Sequence, residues 1–192
     1  MKHLLLLTMI ATTACARATI PHAFRAVGFT DNEVTILNNA ANEWRTASND
    51  KYNLLIVDKD SCDENTCSTI RIVDKLEERA YVAGITVQND DSDIEYSAGI
   101  TYSKTDHDGV RVENDQVNGD AELYDIQIRN MRVNQLTCAW GDNDGWEQVL
   151  FRVSMHELGH SLGKRHIKEP WHVMSPYCST DPNTLTEEDL TE

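Results

Sequence analysis

Glycine and proline are scarce in this chain, 9 and 4 of 192 residues, which excludes collagen-like, elastic and long low-complexity architectures. Positive charge is short as well. Lys and Arg total 17 against 32 Asp and Glu, a formal net charge of −15, and a surface of that sign repels nucleic-acid phosphate and anionic headgroups. Nucleic acid is therefore not an expected partner. Beyond the N-terminus no apolar run reaches the roughly 18 residues that a bilayer span requires. What is present, 40% hydrophobic and 26% charged residues, suits one ordinary globular domain with its own core.

The first residues read as an address. Met1-Lys2-His3 is a short basic start, Leu4 to Ala11 an apolar core, and Thr12-Thr13-Ala14 a run of small residues; this order is that of a secretory signal. Cys15 directly after small residues resembles a bacterial lipoprotein signal, with Thr12 where that pattern usually has leucine. Cleavage before Cys15 would leave 1–14 as signal and 15–192 as a single domain. Its membrane contact would run only through a lipid on Cys15, placing it in the bacterial cell envelope. Ordinary cleavage near Ala14-Cys15-Ala16, with free secretion, is the alternative. With Cys15 assigned to lipid, Cys62, Cys67, Cys138 and Cys178 remain, and four cysteines allow three pairings. The short gap in Cys62-Asp63-Glu64-Asn65-Thr66-Cys67 favours a local staple, leaving Cys138 with Cys178.

After a short polar lead-in, Thr30-Asp31-Asn32-Glu33 is a capping-box signature. Val34, Leu37, Ala41 and Trp44 follow at helical spacing, so a helix is expected over 31–47. Strand-like runs come next at 52–57, 70–73, 81–87, 94–102 and 124–128, separated by polar turns. Ala83-Gly84-Ile85-Thr86 and Ala98-Gly99-Ile100-Thr101 share a tetrapeptide, too little for a repeat architecture. An acidic helix start at 142–147 then leads into the apolar stripe Trp146, Val149, Leu150 and Val153. Helix, sheet, helix without β-α-β alternation indicates an α+β fold. Two Asp-rich turns, Asp106-x-Asp108-Gly109 and Asp142-x-Asp144-Gly145, have the first half of a calcium loop without a matched later Glu; calcium is a secondary expectation.

Residues 156–166 read H-E-x-x-H-x-x-G-x-x-H. His156 and His160 lie one helical turn apart, so their imidazoles leave the same face and can converge on one ion. Glu157 is rotated from that face, which lets its carboxylate reach a water on the metal and act as general base. Gly163 can take the left-handed conformation that stops the helix and brings His166 back. Three neutral imidazoles and a water describe an open, catalytic zinc site, and because those ligands must be neutral, activity should decline as pH falls below about 6. His3, His22, His107 and His172 lack such spacing and are read as non-ligands.

The extended motif with Met174 eight residues past His166 resembles the metzincin clan of zinc endopeptidases. Leu150-Phe151, Pro170 and Met174-Ser175-Pro176 are similar to its matrixin branch, as are the 29–44 segment and Leu185 to Leu190. Ile167 departs from that branch's usual Ser or Thr. The resemblance implies a metzincin-like α+β catalytic domain. Its twisted sheet would be mostly parallel with one antiparallel edge strand, packed on two long helices and followed by a short C-terminal helical segment. It further implies catalytic Zn2+ on His156, His160 and His166, Met174 in a turn flooring the histidines, and a protein or peptide substrate added along the sheet edge at 83–87 or 98–102. Tyr177, three past Met174, is read as a packing residue before a transition-state contact. A monomer is expected. The rival readings are an exported binding or adhesion protein with a structural or vestigial zinc, and a zinc amidase or exopeptidase on cell-wall peptides.

Overall fold

A computed structural model describes residues 22–76, 98–104, 111–113, 123–132, 145–176 and 184–191. Along them run β1 (His22–Val27), α1 (Asp31–Ala47), β2 (Leu54–Asp58), β3 (Ser68–Val73), β4 (Gly99–Lys104), β5 (Arg111–Glu113), β6 (Leu123–Arg129), α2 (Trp146–Ser161) and α3 (Glu187–Leu190). Several expectations fall outside the described residues: the 1–14 signal, Cys15, the 81–87 strand, Cys138, Tyr177, Cys178 and the Asp pairs of both candidate calcium turns.

The sheet order is β2-β1-β3-β6-β4-β5. β2, β1, β3 and β6 pair in parallel, β4 runs antiparallel to β6, and the three-residue β5 pairs antiparallel with Tyr102–Lys104 of β4. This is the expected mixed α+β sheet. The polar lead-in is nonetheless a strand, and β1-α1-β2 is a β-α-β unit that the sequence reading excluded. His22 and Arg25 interrupt the apolar signal of β1, while Phe24 and Ala26 alternate onto the buried face. Six residues are too few for that alternation to stand out.

Helix α1 has the expected bounds, and its cap explains them. Thr30 Oγ1 accepts from the Glu33 amide, and Glu33 Oε2 accepts from the Thr30 amide at 2.8 Å. Leu37, Ala41 and Trp44 are buried against the core, with Val34 packed at its margin. Helix α1 packs on α2, and the Trp44 indole donates to the Met155 carbonyl at 2.8 Å. Cys62 and Cys67 form the expected local disulfide, with Cα atoms 6.0 Å apart.

Glu33 does more than cap. Its Oε1 also accepts from Arg132 Nε at 2.7 Å and from the Trp146 indole at 2.6 Å, so one buried carboxylate joins α1, the segment after β6 and the start of α2. Burial pushes its pKa up, but the bonds from Arg132, Thr30 and Trp146 outweigh that and bring it from 4.5 down to about 2. A depressed carboxyl pKa stabilises the fold above the unfolded value and ceases to do so as pH falls through the folded one. Urea unfolding from pH 6 to pH 2 should therefore show a loss of about 2–3 kcal/mol between roughly pH 5 and pH 2. Glu33→Gln should flatten that limb; an unchanged limb in the variant would refute the assignment.

Candidate metal centre

Helix α2 presents the centre from its C-terminal half. Val149, Leu150, Val153 and Leu158 anchor it in the core, and His156 and His160 continue the line of Val149 and Val153 at i+7 and i+11 from Val149. The helix ends in a Schellman turn: Lys164 N–H donates to Gly159 O at 3.0 Å and Gly163 N–H to His160 O at 2.9 Å. Gly163 sits at φ +80°, the left-handed region that a Cβ disfavours. That turn reverses the chain and delivers His166.

The three Nε2 atoms lie 3.1, 3.2 and 3.3 Å from one another. Two nitrogens each about 2.05 Å from a tetrahedral zinc stand about 3.3 Å apart, so the donor set fits that ion. Protonation is arranged from behind. His156 Nδ1 lies 2.7 Å from Val173 O and His160 Nδ1 2.8 Å from Lys164 O; a carbonyl only accepts, so both Nδ1 atoms carry the proton and both Nε2 lone pairs face inward. Burial lowers the His160 pKa well below its ordinary value, and the neighbouring His156 and His166 lower it further. The ring is thereby kept neutral, as a ligand must be.

Glu157 is buried beside β4. Thr101 Oγ1 lies 2.6 Å from Glu157 Oε2 and 3.0 Å from the Glu157 carbonyl. A Cβ at Gly99 would stand 2.7 Å from Glu157 Oε1, so a glycine is needed where the strand backbone passes the carboxyl. Burial pushes the Glu157 pKa up to about 8, against the lowering effect of the Thr101 bond; a dication on the adjacent imidazoles acts in the opposite sense and favours the carboxylate.

Met174 is fully buried below the histidines' helix. Its amide donates to Asp189 Oδ1 at 3.2 Å and its carbonyl accepts from Ile167 N–H at 2.9 Å, closing the loop after His166. A Cβ at Gly159 would meet Met174 Sδ and stand 2.7 Å from Trp44 Cζ2. Sequence reasoning missed Gly99, Thr101 and Gly159. Gly99 and Thr101 lie in the tetrapeptide noted at 98–101, and a glycine inside a strand pattern is the signal that marked them.

A three-imidazole tripod at the end of a helix, a glutamate next to the first ligand and a methionine turn underneath define a zinc peptidase domain of the metzincin type. The matrixin family's sequence profile matches residues 16–192, and the chain belongs to that family of zinc metallopeptidases. Among solved structures it is similar to metalloproteinase-II from Bacteroides fragilis, at 14% identity and a TM-score of 0.43, with 88% of this chain and 51% of that chain covered. The chain thus spans about half the length of that protein. No curated protein matches it.

Proposed function

We propose that the protein is a zinc endopeptidase that cleaves internal bonds of extended polypeptides, with Glu157 as general base and then general acid. The observation that carries this reading is the convergence of His156, His160 and His166 beside a carboxyl group already held by the strand next to it. Zinc, when bound there, supplies Lewis acidity toward a water and a peptide carbonyl. Glu157 takes the proton from the attacking water at its carboxylate and returns it to the departing amine. Thr101 fixes the second carboxylate oxygen during both transfers, so the reacting oxygen keeps one position. His156 and His160 are held in register by the carbonyls of Val173 and Lys164.

Substrate geometry follows from β4. Among the described residues, the ladder with β5 engages only Tyr102–Lys104, so an extended chain would add along Gly99–Thr101, nearest Glu157. Residues 167–173, with Trp171 exposed, would wall the pocket beyond the scissile bond. The same proposal places the domain outside the cell, on the strength of residues 1–16 alone.

A peptide blocked at both ends separates the rival chemistries. The zinc-loaded protein should cleave it internally, and a chelator should abolish the cleavage. Hydrolysis that requires a free terminus would make the protein an exopeptidase, and absence of cleavage from blocked peptide and unfolded protein alike would remove the peptidase reading.

A further inference from the structure

A second set of ligand atoms converges outside the catalytic tripod. One atom each from Glu169, His172 and Glu188 lies within 4.8 Å of the others. The two glutamates are exposed, whereas the His172 side chain is only 5% exposed. The chain joins them locally and across the fold. His172 N–H reaches back toward Glu169 O at 3.4 Å, closing a turn that puts both side chains on one side. Glu188 comes from α3.

Hydrogen bonding decides which imidazole nitrogen faces the carboxylates. Thr186 Oγ1 lies 2.8 Å from Asp189 Oδ2. A carboxylate only accepts, so the hydroxyl proton points to Asp189. His172 Nδ1, 3.0 Å from that same hydroxyl oxygen, must then be the donor. A neutral ring consequently aims its Nε2 lone pair at Glu188 Oε2, 3.3 Å away. Acceptor then faces acceptor, a contact that a positive charge between them would turn favourable. A proton on Nε2 satisfies one carboxylate oxygen at a time. A dication engages the imidazole and both glutamates together, and the two carboxylates balance its charge.

We propose that Glu169, His172 Nε2 and Glu188 form a second cation site for a divalent transition metal such as zinc, since mixed imidazole and carboxylate donors suit ions of that borderline class. The site braces the loop between His166 and Met174 against α3. That loop carries Val173, whose carbonyl orients His156, so the second ion sits behind the catalytic centre as a structural clamp. Because both glutamates are exposed, it binds more weakly than the tripod.

The test compares wild type with the double variant Glu169→Gln/Glu188→Gln, by equilibrium dialysis against zinc at pH 7.5 and by thermal unfolding over the same zinc series. Wild type should take up one more zinc per chain than the variant, and its Tm should rise by about 3–6 °C as that equivalent binds. The variant should show neither effect while keeping its first equivalent of zinc. The readout is the difference between the two proteins, so it stands apart from whatever the tripod does. Equal zinc uptake by both proteins, whether at one equivalent or two, would overturn the proposal.

Discussion

Glu157→Gln should lower kcat for peptide hydrolysis by roughly 10²–10⁴-fold, the usual contribution of a positioned acid–base group, while zinc content stays that of wild type. The substitution is nearly isosteric. Thr101 can still donate to the amide oxygen, Gly99 still leaves the space beside it, and the imidazoles keep their carbonyl partners. Only the ability to accept and return a proton is lost. KM should therefore change little, because the interactions removed act in the transition state and not in substrate binding. Steady-state kinetics on a blocked peptide with metal analysis of the same samples decides the matter. Cleavage within twofold of wild type would mean that another group moves the proton.

The second large effect is on stability and comes from a residue with no side chain. In Gly159→Ala, the new methyl group enters the space between Met174 and Trp44. Trp44 cannot withdraw cheaply, because its indole is bonded to Met155 O and its ring packs edge-on against Tyr52 at 6.2 Å. Met174 is tethered at both main-chain polar groups, to Asp189 and Ile167. Alanine improves helix propensity by about 1 kcal/mol, whereas overpacking of a closed core commonly costs about 1–3 kcal/mol and more when backbone is pinned. A net loss of about 2 kcal/mol is expected, or roughly 4–8 °C in Tm for a chain of this size. A variant as stable as wild type would show that Met174 moves freely, and the methionine floor would not be rigid.

Much of the centre was legible because its grammar is local. His156 and His160 share a helix face by spacing alone, Gly163 announces the turn, and Met174 lies within reach of both. The bounds of α1 were legible for the same reason, since Thr30 and Glu33 satisfy each other across one turn. What escaped depends on contacts between distant segments. Thr101 meets Glu157 from 56 residues away, and Gly159 occupies an unspecified place in the motif whose requirement is set by Trp44 on another helix. Glu33 reads as a cap, but its bonds to Arg132 and Trp146 have no local trace. β1 was hidden by its own polar residues, and with it the β-α-β unit it opens. Of the two candidate edge segments, 98–102 lies in β4, while 83–87 lies outside the described residues.

The acceptors behind His156 and His160 belong to the main chain, at positions 173 and 164. Every amino acid owns such an oxygen, so the imidazoles' tautomers are indifferent to what side chains those two sites bear. They are sensitive to chain length instead. One residue inserted or deleted between His166 and Val173 would swing the Val173 oxygen away and leave the His156 ring free to spin, with all eleven letters of the motif unharmed. An intact signature read from genomic text can thus belong to a protein that no longer grips its ion.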